Sequence, residues 1–271
     1  DPEDIKRKIT QKTKAIMVVH FGGQMAEILE IKKIAKAHNL KIIEDCAHSL
    51  AAQYQNKMAG TFGDVGVFSF YAIKNMTTGE GGMVVTSNDK LTEKILMFRL
   101  HGMSLTAFQR YSNKGKWYYE IKEAGFKVNM TDTAAAMGVA QLKKIKKFNK
   151  RRQEIAELYL KNLKGVPGII LPKVLPKRTH VWHLFPVRVD SQRRDEIIKD
   201  LKDFNICTSV HFIPLHLQPF YQKKFGYKKG DFPISEEVFQ GEISLPMYPH
   251  LKDSEVKYIC RVLKYLLEDS K

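Results

Sequence analysis

The composition of this 271-residue chain excludes an extended disordered state as its default. Hydrophobic residues make up 44% of the chain and charged residues 27%, which is typical of a globular protein with a sizeable core. A formal net charge of +16 favours an anionic partner, and nucleic acid, a membrane surface and a phosphorylated small molecule all meet that requirement.

The first part of the chain alternates strand and helix patterns. Apolar, partly β-branched runs predict strands at 13–21, 40–46, 65–70 and 81–87. Between the first two strands, apolar residues at helical spacing predict a helix within 25–39, which completes a βαβ unit and favours a parallel sheet. A further helix is predicted to begin near Asp89.

The second part of the chain begins with a long helical pattern that runs from Thr131 to about residue 165. Its apolar residues recur roughly on one side, at Val139, Leu142, Ile145, Ile155, Leu158 and Leu163. Beyond it, strand-like runs at 183–189 and 207–213 flank a helical segment at 193–205. We predict an α/β protein with a large domain at 1–146 and a smaller α/β domain at 147–271.

The cysteines and the apolar runs indicate the cellular setting. Cys46, Cys207 and Cys260 lie far apart without a CxxC spacing, so neither a disulfide framework nor a cysteine zinc site is expected. The first residues lack a signal-sequence pattern, and no apolar run approaches the ~18 residues of a membrane span. We therefore expect a cytoplasmic protein with no membrane partner.

Three polar residues stand at the ends of predicted strands. Asp45 closes one strand, and Ser69 and Lys74 follow another, with a glycine-rich turn after them. Ligands of open α/β sheets bind at the carboxyl ends of the strands. An ordinary Asp45–Lys74 salt bridge would explain the pattern. A pyridoxal phosphate site also would, with the lysine bound to the aldehyde and the acid beside the pyridine nitrogen.

The order of several motifs distinguishes these readings. They are EDCAHS at 44–49, GTFGDVGVFSFYAIKNMTTGEGGMVVTSN at 60–88, FRLHGM at 98–103, KVNMTDTAAAMGVAQL at 127–142 and HFIPLH at 211–216. In this order they resemble the DegT/DnrJ/EryC1/StrS family of sugar aminotransferases, which depend on pyridoxal phosphate (PLP). The resemblance covers nearly the whole chain. It implies a fold-type I PLP-dependent transferase with a mostly parallel sheet in the large domain.

The resemblance also implies roles for individual residues. Lys74 corresponds to the Schiff-base lysine of the family and Asp45 to the partner of the pyridinium nitrogen. His48 stands where relatives have a residue beside the cofactor's phenolic oxygen, and Ser69 where a hydroxyl binds its phosphate. Asn129 matches an asparagine that reaches the partner subunit's cofactor, which implies a homodimer with shared active sites.

The reaction implied by the family is transamination in two halves. An amino acid, typically glutamate, leaves its amino group on the cofactor, and a keto group of a nucleotide-linked sugar then receives it. His183 and His211 lie in small-domain blocks that resemble substrate-facing segments of relatives. Polysaccharide biosynthesis and antibiotic-sugar synthesis both remain open as pathways.

Other readings of the chain stay open at this point. Relatives have a further part of the large domain ahead of the strand at 13–21, so we expect this chain to lack the family's N-terminal part. A catalytically inactive fragment or scaffold is therefore the alternative to an active enzyme. A basic nucleic-acid-binding helix at 141–153 is less favoured, because apolar residues run through it. The nine histidines lack an HExxH pattern, so no metal site is predicted.

Overall fold

The computed structural model describes residues 1–104 and 117–268. The chain forms two compact units. The first consists of Asp1–Phe21 and Met25–Ile145, and the second of Gly22–Gln24 and Lys146–Lys271. Each unit has its own sheet and its own cluster of buried residues.

The first unit is an α/β structure that begins with a short helix and a strand. Its elements are α1 (Pro2–Lys8), β1 (Ala15–Val19), α2 (Ile28–Ala37), β2 (Lys41–Asp45), β3 (Gln53–Tyr54), β4 (Lys57–Met58), β5 (Val65–Ser69), β6 (Gly82–Val85), α3 (Asp89–Phe98) and α4 (Asp132–Leu142). All four strands and both helices that the sequence predicts in this part of the chain are present.

The central sheet of the first unit has the strand order β1-β2-β5-β6. The β1–β2 and β2–β5 pairs are parallel, and β6 is antiparallel to β5. Helix α2 connects β1 to β2 and buries Ile28, Ile31, Ile34 and Ala35, so the predicted βαβ unit is confirmed. The small β3–β4 hairpin was not predicted; Gln55 and Asn56 between its strands both have positive φ, as a type I′ turn requires.

The second unit is built around an antiparallel strand pair. Its elements are α5 (Ile145–Leu163), β7 (Phe185–Arg188), α6 (Arg194–Asp203), α7 (Pro219–Phe225), α8 (Pro233–Gly241), β8 (Glu242–Leu245) and α9 (Asp253–Glu268). Strand β7 pairs with β8. Large side chains of α5, α6 and α9 pack together with those of the two strands in one core, which includes Tyr159, Phe185 and Leu263.

The long helical pattern after Thr131 is two helices and not one. Lys144 N–H bonds to the Gln141 carbonyl, three residues back, and this tighter turn ends α4 before α5 begins. The prediction of one continuous helix with a single apolar side was therefore wrong. Val139 and Leu142 are 58% and 52% exposed, whereas Ile155 beyond the turn is fully buried.

The predicted strand at 207–213 is also absent from the described structure. Ser209 forms one isolated bridge with Ser244 of β8 and goes no further. The pairing ends because the His211 backbone N–H donates to the Glu242 carboxylate at 2.7 Å instead of to a strand partner. Pro214, which follows, has no N–H to extend a ladder.

Candidate active site

Asp45 and Ser69 lie at one edge of the first unit's sheet. Asp45 is the last residue of β2 and pairs in register with Val67 of β5, so Ser69, two residues further on, points to the same face of the sheet. Both side chains are half-buried. The Asp45 carboxylate accepts a hydrogen bond from the Ala47 N–H at 3.0 Å, which holds it at the strand end.

Lys74 lies in the loop that leaves this edge of the sheet. Its N–H bonds to the Tyr71 carbonyl at 3.0 Å, so the chain turns sharply just after β5. Burial lowers the pKa of the half-buried Lys74 amine, and the negative charge of Asp45 partly opposes that shift. The structure thus brings an amine and a carboxylate, 29 positions apart in the sequence, within electrostatic range of each other.

The loop that carries Lys74 is tied down at both ends. The Phe70 N–H bonds to the Gly81 carbonyl, and the Thr78 N–H returns to the Phe70 carbonyl. The Thr78 hydroxyl donates to the Glu80 carbonyl at 2.7 Å. At Gly81, φ is +151° and an added Cβ would lie 2.4 Å from that hydroxyl. The glycine-rich run therefore lets the two ends of the Lys74 loop approach each other closely.

Apolar contacts hold the same loop on the protein. Phe70 and Met76, on either side of Lys74, are buried in a small cluster with Ile145. Asn75, next to Lys74, is also buried. With its neighbours fixed in this way, the Lys74 backbone has little freedom, and the amine is held on the side of the sheet edge where Asp45 lies.

A buried, hydrogen-bonded pair of side chains next to the site was not predicted. The Glu44 carboxylate and the His20 imidazole are both fully buried, with Nε2 of His20 3.0 Å from Oε2 of Glu44. The carboxylate also accepts the N–H groups of Gly60, Phe62 and Gly63 at 2.6–2.9 Å. Burial alone would raise the pKa of Glu44, but these hydrogen bonds bring it below its usual value.

This network connects the strand ends with the turn before β5. The Ala26 N–H donates to Nδ1 of His20, so the His20 ring carries its proton on Nε2 and donates it to Glu44. Glu44 precedes Asp45, and the network therefore fixes the end of β2. The sequence contained an indication of this network: Glu44 lies in an otherwise apolar strand, and a buried carboxylate there needs hydrogen-bond donors around it.

Cys46 lies close to the same two residues, and together the three offer side-chain atoms that can bind metal ions. Ligand atoms of His20, Glu44 and Cys46 lie within 4.8 Å of one another. Both oxygens of Glu44 already accept two hydrogen bonds each, and burial raises the pKa of the Cys46 thiol to about 12. A metal needs a thiolate and free lone pairs, so this cluster does not fit one.

His48 and Asn129 are the remaining predicted site residues of the first unit. His48 is buried, three residues beyond Asp45, and its ring lies 5.8 Å from that of Phe21. Asn129 is half-buried ahead of α4, and its side-chain oxygen accepts from the Lys127 ammonium. The role implied for Asn129 concerns a second subunit and stays a prediction.

His183 and His211 belong to the second unit. His183 is buried, and its carbonyl and those of Trp182 and Met247 surround the buried guanidinium of Arg152. His211 is half-buried, and its Nδ1 lies 2.8 Å from the Ser244 hydroxyl. Substrate contact by either histidine stays a prediction.

The groups at the sheet edge match what pyridoxal phosphate requires. The cofactor needs an amine of lowered pKa for its aldehyde, a carboxylate for its ring nitrogen and donors for its phosphate. Groups of these three kinds are present at the sheet edge: the Lys74 amine, the Asp45 carboxylate and the Ser69 hydroxyl. Fold and site together define a PLP-dependent aminotransferase.

Comparison with known proteins gives the family. The model of the DegT/DnrJ/EryC1/StrS aminotransferase family matches residues 1–264. The chain belongs to this family and is a PLP-dependent sugar aminotransferase. Solved structures with the same fold include aminotransferases in the PLP form and in the PMP form, which confirms the predicted cofactor.

Three relatives illustrate the similarity. The chain is 50% identical to the protein MJ1066 of Methanocaldococcus jannaschii, with 99% of this chain and 71% of that protein covered. It is 44% identical to the spore coat polysaccharide biosynthesis protein SpsC of Bacillus subtilis, with 99% and 70% covered. The structure of PseC from Helicobacter pylori, an aminotransferase in the biosynthesis of pseudoaminic acid, matches with a TM-score of 0.92 and 31% identity over 99% of this chain and 71% of that one.

The mostly parallel sheet and α/β class are those of these aminotransferases, as predicted. Among residues 1–104 and 117–268, no helix combines the length and apolar character that crossing a membrane requires.

Proposed function

We propose that this aminotransferase moves an amino group from glutamate to the keto group of a nucleotide-linked sugar. Glutamate is the typical donor of the family that the sequence resembles. One relative acts in spore coat polysaccharide biosynthesis and another in making pseudoaminic acid, which supports an amino sugar as the product. The net charge of +16 favours a substrate with a nucleotide diphosphate group.

In this proposal the residues at the sheet edge hold the cofactor. Lys74 would form the covalent link through Nζ, and Asp45 would keep the ring nitrogen protonated. Ser69 would donate to the phosphate, and His48 would lie beside the ring's phenolic oxygen. When bound, the cofactor supplies an electron sink that stabilises negative charge at the carbon from which a proton is removed.

Lys74 acts a second time as an acid and base. Once the amino donor had displaced it, its Nζ would take the α-carbon proton of glutamate and pass it to the cofactor. In the second half it would take a proton back from the cofactor and deliver it to the former keto carbon of the sugar. This requires a neutral amine at working pH, and burial lowers the Lys74 pKa in that direction. The loop tied by Phe70, Thr78 and Gly81 keeps Nζ near the sheet edge through both halves of the reaction.

The complete site in this proposal uses more than these residues. Residues 1–146 form the cofactor-binding domain, and 147–271 form the smaller domain, from which His183 and His211 contact the substrate. Asn129 reaches the cofactor of the partner subunit in a cytoplasmic homodimer. Size measurement by light scattering, with and without PLP, tests the dimer independently of activity.

One observation carries the proposal: the half-buried amine of Lys74 lies within electrostatic range of Asp45, which ends a parallel strand. The test is an absorbance spectrum of the purified 271-residue chain with added PLP, before and after glutamate. We expect a visible band that glutamate converts to the pyridoxamine form. Lys74→Ala should abolish the band, whereas Lys32→Ala, which removes an exposed lysine, should leave it unchanged.

A chain that shows no Lys74-dependent band in saturating PLP contradicts the proposal and favours the inactive-scaffold alternative. A band that forms but does not respond to glutamate keeps the cofactor site and refutes glutamate as donor. The nucleic-acid-binding alternative rests on net charge alone. A gel-retardation assay at low and high salt tests it, because nucleic-acid binding through phosphate contacts weakens steeply as salt rises. We expect no such salt-dependent retardation.

A further inference from the structure

Three side chains of the second unit form a hydrogen-bonded line that ends at His211. Nδ1 of His211 lies 2.8 Å from the Ser244 hydroxyl, and that hydroxyl donates to Oε1 of Glu242 at 2.5 Å. The other carboxylate oxygen, Oε2, accepts the backbone N–H of His211 at 2.7 Å. Glu242 therefore contacts both the backbone of His211 and, through Ser244, its ring.

The inner members of this line are shielded from water. Glu242 and Ser244 are 2% and 4% exposed, at the start of β8, whereas His211 is half-buried. Burial raises the pKa of Glu242, and the hydrogen bonds from Ser244 and His211 and the positive charge of Arg194 oppose that shift. Hydrogen bonds between groups shielded from water in this way are stronger than hydrogen bonds exposed to it.

The direction of each hydrogen bond follows from the number of protons. At the pH of the test below, about 8, Glu242 is taken as ionised, and an ionised carboxylate can only accept, so it accepts from both the His211 backbone N–H and the Ser244 hydroxyl. Ser244 has one hydroxyl proton, and it is given to Glu242. The bond between Ser244 and His211 therefore needs a proton from the ring, so Nδ1 carries it and Nε2 is the unprotonated nitrogen.

We propose that Glu242 and Ser244 are positioning residues that fix His211 in the tautomer with its proton on Nδ1, so that Nε2 is a hydrogen-bond acceptor for the substrate. The chemistry suits a donor such as a sugar hydroxyl, since a neutral ring with an accepting Nε2 repels phosphate oxygens. This inference rests on the proposed contact between His211 and the sugar substrate, but the tautomer itself is measurable without substrate.

The test is nitrogen NMR of the whole chain labelled with ¹⁵N-histidine, at about pH 8, where an ordinary imidazole is neutral. The chemical shifts of a neutral ring distinguish its protonated from its unprotonated nitrogen, and a His211→Gln spectrum identifies the His211 signals. We expect the protonated nitrogen of His211 to be Nδ1. A wild-type spectrum with the proton on Nε2 overturns the proposal, whatever the variants show.

Glu242→Gln gives a sharper result, because it should reverse the tautomer. The amide oxygen is needed for the His211 backbone N–H, so the amide NH₂ faces Ser244. Ser244 then accepts from the amide and donates to Nδ1, and the ring proton moves to Nε2. Glu237→Gln, an exposed acid on the neighbouring helix, is the matched control and should leave the His211 signals unchanged.

Circular dichroism first establishes that the Glu242→Gln chain is folded. In a folded variant, a proton that stays on Nδ1 refutes the relay through Ser244, even if His211 does contact substrate. If the variant does not fold, the wild-type spectrum still decides the tautomer. A contact between His211 and the sugar is judged separately, by whether added UDP-glucose shifts the His211 nitrogens, so failure of the proposed function and failure of this inference give different results.

Discussion

Replacing Glu44 by glutamine removes one charge and changes almost no volume. In the wild-type protein Oε1 accepts the N–H groups of Phe62 and Gly63, and Oε2 accepts those of Gly60 and the His20 ring. Glutamine has one accepting oxygen, so either orientation of its amide satisfies two of these donors and turns NH₂ toward the other two. All of these groups lie in or next to fully buried side chains.

The expected cost follows from this count. A buried donor without an acceptor costs about 1–3 kcal/mol, and two are created, so the loss is about 2–5 kcal/mol once relief of the buried charge is allowed for. His20 cannot repair the defect by switching tautomer, because Nδ1 already accepts the Ala26 N–H. A loss of this size is a large share of the 5–15 kcal/mol that ordinarily stabilises a domain.

The assay is urea unfolding of the chain, followed by circular dichroism, with Glu30→Gln as the control. Glu30 is an exposed helical acid paired with Lys33, so its replacement should cost no more than about 0.5 kcal/mol. If Glu44→Gln costs less than about 1 kcal/mol with an unchanged m-value, the buried network does not hold the end of β2 and the reasoning fails.

We also expect Glu44→Gln to change how the free energy of unfolding depends on acid pH. Glu44 has a pKa below its unfolded value, so its contribution is present above about pH 4.3 and is lost as the pH falls through the lower, folded pKa. The wild-type chain should therefore lose more stability than Glu44→Gln when the pH is lowered from about 6 to about 3. Equal losses in the two chains would contradict the lowered pKa.

Two further predictions concern other buried groups. Because burial lowers the pKa of Lys74, Lys74 should react with formaldehyde and cyanoborohydride at lower pH than the exposed Lys32. Asp45 opposes that shift, so Asp45→Asn should lower the pH of reaction further. Peptide mass spectrometry measures the extent of reaction at each lysine, and equal pH dependence at Lys74 and Lys32 would refute the prediction. Burial lowers the pKa of Arg152 to about 10, so it remains charged at neutral pH, where it donates to the Trp182 and Met247 carbonyls. Arg152→Met should cost about 2–4 kcal/mol in urea unfolding, against about 0.5 kcal/mol or less for Arg7→Met, an exposed control.

Local patterns predicted the first unit well. The strands that end at Asp45 and Ser69 are short runs of apolar residues between polar turns, and helix α2 repeats isoleucine at helical spacing. In such segments the local preference and the final packing agree, so the pattern is sufficient. The candidate residues at the ends of those strands could be selected for the same reason, because parallel strands bring their carboxyl ends to one edge.

Local patterns failed where a side chain took the hydrogen bond that regular structure would have used. The segment after Ser209 has the composition of a strand, yet the Glu242 carboxylate takes the N–H of His211 and ends the pairing. The spacing of apolar residues also predicted one continuous helix beyond residue 142. The structure instead has a tight turn at Lys144, with the exposed Val139 before it and the buried Ile155 after it. Neither a distant carboxylate nor a turn bond is visible in the spacing of apolar residues.

The sequence by itself therefore determined the class of this protein and its sheet and selected the candidate residues of its cofactor site, because these follow from short-range patterns and from ordered family motifs. Only the tertiary structure showed that Lys74 is half-buried beside Asp45, that Glu44 and His20 are paired next to the site, and that Glu242 and Ser244 hold His211. The His20–Glu44 and His211–Ser244 contacts join residues 24 and 33 positions apart, and the spacing of neighbouring residues does not encode such contacts. The free energy of a charge or a proton is set by the groups that surround it in space.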